Sequence, residues 1–108
     1  MKSKAETFIG FILRSGKYRL GVNAIKTVKS AFLLVLCHTA SENTKKDAQK
    51  LARKLRAKLI ISNKFTIEEL TNKEHCKLMA VTDKALSTAL IGSLDENFTD
   101  YPTEESNG

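Results

Sequence analysis

Tryptophan is missing from this 108-residue sequence, and aromatic residues make up only 6% of it. With so few rings available, a packed interior has to be aliphatic, built from Leu, Ile, Val and Ala. Cysteine is scarce as well. Cys37 and Cys76 are the only two, too few for a disulfide framework. Long apolar runs are lacking: Phe8–Leu13 is too short for a secretory signal and no cleavage site follows it. No stretch approaches the roughly 20 apolar residues of a membrane-spanning helix. These absences lead us to expect a cytoplasmic chain with reduced thiols and no membrane partner. Catalytic signatures are missing too. There is no nucleophile motif, no Gly-rich phosphate loop and no paired-carboxylate constellation. The expectation is a non-enzyme with no cofactor.

Acids are sparse over most of the chain. Residues 1–94 hold all 18 Lys and Arg but only seven Asp and Glu, a net of +11, whereas residues 95–108 hold five acids and no base. A body this basic is an electrostatic footprint for a polyanion, although many basic surfaces serve only solubility. We therefore divide the chain into a domain over 1–94 and an acidic, flexible tail over 95–108. Only Phe98 and Tyr101 could anchor that tail.

What is present alternates between helical and extended patterns. Phe8, Ile9, Ile12 and Leu13 form a helical stripe over Lys4–Arg14, which Gly16 can end. Lys17–Leu20 reads as a short strand. Gly21-Val22-Asn23 opens a helix to about Lys29. Phe32–Cys37 is continuously apolar, as expected of a strand buried on both faces. Ser41 or Asn43 caps a helix running to about Ala57, with Ala48, Leu51, Ala52 and Leu55 on its apolar face. Lys45, Lys46, Lys50, Arg53, Lys54 and Arg56 lie on its other side. Lys58–Ser62 is a strand, Thr66–Glu69 a capping box, Leu78–Val81 a strand, and Asp83 the cap of a last helix to about Leu94. The succession predicts an α/β chain. Its architecture is a three-layer α/β/α sandwich around a small mixed sheet of about four strands.

Two Cys-His neighbours, Cys37-His38 and His75-Cys76, look superficially metal-like. Adjacent residues on a strand point to opposite faces, so they do not converge as zinc ligands do, and no metal is expected. Cys37 reads as core filler. His38 lies just past a strand end, where functional positions often fall in open α/β sheets. Gly21–Asn23 can present backbone N–H groups and an amide side chain, with Lys17, Arg19, Lys26 and Lys29 around it as phosphate contacts. On the residues alone, Asn23 reads first as a residue that supports the helix start, since Asn is a common capping residue.

Several stretches resemble one family in order along the chain. They are Arg14-Ser15-Gly16-Lys17 with Leu20-Gly21, then Phe32–Cys37 with Ala40-Ser41-Glu42-Asn43-Thr44-Lys45-Lys46. Glu68-Glu69-Leu70 and Ala80-Val81-Thr82-Asp83-Lys84 follow. Together they resemble the kink-turn-binding ribosomal protein superfamily of L-seven-Ae and L-thirty-e type, in its bacterial YlxQ-like branch, over about residues 5–94. The resemblance implies an α/β/α sandwich that binds structured RNA as a monomer, possible partners being ribosomal RNA and ribosomal proteins. It implies recognition through a Gly-x-Asn-Glu loop at the start of the second helix and a second loop before the fourth strand. Gly21, Val22 and Asn23 match the first loop's opening, and Lys73 and His75 fall in the second. Ala24 stands where the family has an acid, and Thr27 where it has a base. The site expected is thus Lys17, Arg19, Gly21, Val22, Asn23, Lys26, Lys29, His38, Lys73 and His75. RNA binding requires the basic residues of 17–29 and 73–77 to meet on one open face. The alternative is a protein-interaction module of the same fold, which would show a contiguous exposed apolar patch instead.

Overall fold

The structure is a computed structural model that describes residues 4–63, 66–71 and 76–101. The elements are α1 (Lys4–Ser15), β1 (Tyr18–Leu20), α2 (Val22–Lys26), β2 (Leu33–Cys37), α3 (Glu42–Leu55), β3 (Lys58–Ser62), α4 (Ile67–Thr71), β4 (Leu78–Val81), α5 (Lys84–Ile91) and β5 (Phe98–Asp100).

The strands form one mixed sheet in the order β1-β4-β2-β3-β5. β2 and β3 are parallel, with Leu33 opposite Lys58 and Cys37 opposite Ser62. The pairs β1–β4, β2–β4 and β3–β5 are antiparallel. Because β4 runs against both β1 and β2, strands β1, β2 and β3 point the same way. Their C-terminal ends therefore share one edge of the sheet with the start of β4. Their N-terminal ends share the other edge with Thr82.

Alternation along the strands divides the core between two faces. Leu33, Val35, Ile60, Met79 and Val81 pack with Ile9, Ile12, Ile67 and Leu90 from α1, α4 and α5. Leu34, Leu36, Leu59, Leu78 and Ala80 pack with Ile25, Ala48, Leu51 and Ala52 from α2 and α3. All five residues of β2 are buried, as its unbroken apolar sequence requires. Each fully buried Leu or Ile contributes about 1.5–3 kcal/mol. The result is the α/β/α sandwich expected.

Local caps explain the helix limits. The Ser41 hydroxyl accepts from the Thr44 N–H at 3.2 Å, and the Asp83 carboxylate accepts from the Leu86 N–H at 2.8 Å. Thr66 and Glu69 form the reciprocal box. The Glu69 N–H donates to the Thr66 hydroxyl at 2.9 Å, and the Thr66 N–H donates to the Glu69 carboxylate at 3.2 Å.

Three boundaries differ from the sequence reading, the first being α5, which ends at Ile91 and not at Leu94. α2 ends at Lys26, not Lys29, where the Thr27 N–H and hydroxyl both turn back to the Ala24 carbonyl at 3.2 and 2.7 Å. The expected boundary at residue 94 also moves, because residues 98–100 form a fifth strand instead of a flexible tail. Phe98 is the reason: it is 6% exposed and belongs to the α1/α5 core. The Asn63 N–H donates to the Asn97 carbonyl at 2.7 Å, and the Tyr101 N–H donates to the Leu59 carbonyl at 2.9 Å. Both bonds seat β5 on the outer edge of β3. Residues 102–108 of the expected tail lie outside the described residues.

Candidate nucleic-acid interface

Gly21 begins the candidate loop and has φ 88° and ψ 150°. This region of backbone space belongs almost solely to glycine. Its N–H donates to the Leu78 carbonyl at 2.9 Å, tying the loop to the first residue of β4. Gly21 is itself the N-cap of α2, and no side chain caps that helix. Asn23 is exposed, and its side chain forms no hydrogen bond among the described residues. Its amide is therefore not occupied in holding the helix start. α2 is only five residues long, about 7–8 Å, so aligned peptide dipoles add little there.

His38 and Thr39 follow β2 at the same edge of the sheet. The His38 backbone N–H donates to the Ser62 carbonyl at 3.2 Å. Between His38 and the Gly21 loop lies β4, so the two are about 10 Å apart across the sheet. Beside His38 lies a network, joining the end of β2 to the residue before β4 and to α4, that no motif announced. Lys77 Nζ donates to both carboxylate oxygens of Glu68 at 2.9 and 3.0 Å, and to Thr39 Oγ1 at 3.0 Å. Cys37 Sγ lies 2.9 Å from the same Thr39 oxygen. The hydrogen bond to Glu68 is the main reason the Lys77 ammonium is held above its ordinary range. Lys77 is thus committed to α4, which leaves it less available to a ligand.

The remaining sequence-predicted cations divide. Lys17 precedes β1, and its carbonyl accepts from the Thr82 N–H at 3.0 Å, which places it at the opposite edge of the sheet. Arg19 and Lys29 line a recess near that same edge with Thr27, Val28, Ser30 and Thr82. Lys26 lies on α2 between the two edges. Gly21, Val22, Asn23 and His38 are therefore brought to one edge, while Lys17, Arg19 and Lys29 gather toward the other. Lys73 and His75 lie outside the described residues.

Charge separates by layer more sharply than by edge. Residues 22–56, which contain α2 and α3, hold eight Lys and Arg against two acids. The segments 4–15 and 83–94, which contain α1 and α5, hold three against two, and α4 adds Glu68 and Glu69. Lys26, Lys29, Lys46, Lys50, Arg53, Lys54 and Arg56 are all exposed. One acid is already used locally, since Glu42 pairs with Lys45 at 3.6 Å. The α2/α3 face is the positive face of the molecule among the described residues.

No protein-family profile matches the sequence, and no curated protein does. A solved structure described as a protein with unknown function from Bacillus halodurans C is similar in fold. The two share a TM-score of 0.70 at 18% identity, over 84% of this chain and 96% of that one. At that identity the likeness shows the fold alone. No helix among the described residues is long and apolar enough to cross a membrane.

Proposed function

We propose that this chain binds structured RNA through its α2/α3 layer and the adjoining Gly21–Asn23 loop, as a ribosomal-protein-like module of the kink-turn-binding superfamily. The basic residues of 17–29 and 77 do not meet on one face, since Lys17, Arg19 and Lys29 lie toward the other edge and Lys77 is paired with Glu68. What carries the reading instead is the segregation of charge. Eight Lys and Arg lie in the segment that forms one face, and at its edge stands an exposed amide with no partner among the described residues. Cations on such a face neutralise phosphates without regard to sequence. An amide side chain can read a base edge.

The protein-interaction reading draws less support. Among the described residues the exposed large hydrophobics are Phe11 and Phe32. Phe11 sits on α1 and Phe32 before β2, on different layers, and Arg14 stacks over the Phe11 ring at 5.0 Å. They do not make one contiguous patch.

The test is sequencing of RNA crosslinked to the protein in cells. Enrichment of a defined structured RNA, ribosomal or other, is the expected result. Recovery no greater than that of a charge-matched control protein contradicts the reading.

A further inference from the structure

Arg19 and Lys29, expected beside Asn23 as phosphate contacts, are gathered instead around a recess at the far edge of the sheet. The recess has a volume of about 320 Å³ and is lined by Arg19, Thr27, Val28, Lys29, Ser30 and Thr82. Arg19 lies opposite Ala80 in the β1–β4 register. Directly opposed residues share a face, and Ala80 belongs to the α2/α3 core. Arg19 therefore rises on the α2 side of the edge strand, next to a side chain too small to fill the space. The linker from α2 to β2 closes the other side. Thr82 follows β4 at the row where Tyr18 and Leu33 both pair with Val81.

Every charged group in the lining is positive. Arg19 and Lys29 take part in no ion pair among the described residues, unlike Lys45 with Glu42, Lys58 with Asp100 and Lys77 with Glu68. Arg19 uses one guanidinium nitrogen on the Tyr18 carbonyl at 2.8 Å, leaving the rest of its N–H fork free. The hydroxyls of Ser30 and Thr82 form no hydrogen bond among the described residues. The neighbouring acid, Asp83, is occupied in capping α5 at 2.8 Å. A guanidinium, an ammonium and two free hydroxyls around one polar recess, with no carboxylate among them, form a donor set for an oxyanion.

We infer that this recess is a phosphate site, distinct from the Asn23 edge, in which Arg19 and Lys29 hold the charge and Ser30 and Thr82 hold the oxygens. The phosphate is either a backbone phosphodiester of the RNA proposed above or a free phosphate group. In the first case the inference rests on that proposal, and in the second it does not.

Amide spectra of the isotope-labelled full chain test it, titrated with inorganic phosphate at constant ionic strength and, separately, with a structured RNA hairpin. Phosphate should shift the amides of Lys29, Ser30 and Thr82 saturably, with the Asn23 amide unmoved. The double variant Arg19→Gln, Lys29→Gln should weaken that response at least about tenfold while its spectrum elsewhere overlays the parent. Thr82→Val, which keeps the side-chain shape, should weaken it less. If RNA moves the recess amides as well, the phosphate is a backbone one. If RNA moves only residues 21–23, the site takes a free phosphate. A phosphate response with no RNA response anywhere defeats the RNA proposal and leaves the recess standing. The inference is overturned if neither titrant moves the recess amides saturably, or if the double variant responds as the parent does.

Discussion

His38 Nδ1 lies 2.9 Å from the carbonyl oxygen of Ser62. A carbonyl can only accept, so Nδ1 carries the proton and the neutral ring keeps its free lone pair on Nε2. The same carbonyl also accepts the His38 backbone N–H, which fixes the ring against the end of β3. The Nδ1–H tautomer is the minor one in a free histidine side chain. Long-range ¹H–¹⁵N spectra at a pH where the ring is neutral should place His38 as protonated on Nδ1. A spectrum of the Nε2–H form would show that the Ser62 contact is not made.

Gly21 can be tested without any ligand. A Cβ there would meet no atom within 4 Å, so space is not the constraint, but φ is 88°. Gly21→Ala should cost about 1–3 kcal/mol from backbone strain alone. Urea unfolding measures it. A midpoint equal to the parent's would mean that the loop relaxes freely and that glycine is not required at this turn.

Ser87 offers the opposite sign. It is 1% exposed, and its hydroxyl has no hydrogen-bond partner among the described residues. Removing a buried, unpartnered hydroxyl from a helix removes a desolvation cost. Ser87→Ala should raise stability by about 1 kcal/mol. A destabilised variant would reveal that the hydroxyl holds a partner such as a buried water.

The acidic C-terminal segment calls for two truncations. Ending the chain after Tyr101 keeps β5 and should leave stability within about 0.5 kcal/mol of the parent. Ending it after Leu94 removes Phe98 and uncovers the edge of β3, which should cost about 3–5 kcal/mol, as for a lost core phenylalanine. The Lys58–Asp100 pair, at 3.0 Å with both side chains largely exposed, accounts for little of that. Equal melting of the two truncated chains would show that β5 is not a structural strand.

Much of this fold was legible because local signals agreed with the tertiary result. The limits of β3 and β4, the Thr66–Glu69 box and the Asp83 cap all follow from residue type and spacing. β5 was hidden because a three-residue strand with one apolar side chain, set among acids, resembles a solvated tail until a partner edge exists. Strand direction was hidden as well. Only the placement of β4 between β1 and β2 separates His38 from Asn23. It also sends Arg19 and Lys29 to the other edge, although all of these cations are neighbours of Asn23 in sequence. The Glu68–Lys77–Thr39–Cys37 network joins three distant segments and leaves no local pattern. For Asn23 the sequence left two roles open, and the position of the cap at Gly21 removes the structural one.

That last point makes Asn23 the cleanest probe of the RNA proposal. Asn23→Ala should melt within about 0.5 kcal/mol of the parent, since the side chain makes no hydrogen bond among the described residues. Fluorescence anisotropy with a kink-turn RNA carrying intact G·A pairs and with a straight duplex, each at several salt concentrations, is the decisive measurement. The parent should bind both with a logarithmic salt slope of roughly −3 to −5, reflecting about four to six neutralised phosphates. Asn23→Ala should lose about 1–3 kcal/mol on the kink-turn alone, whereas Lys26→Ala should weaken both RNAs in similar proportion. If the parent binds neither RNA at low salt, or if folded Asn23→Ala matches it on both, the assignment of this surface to structured RNA is wrong.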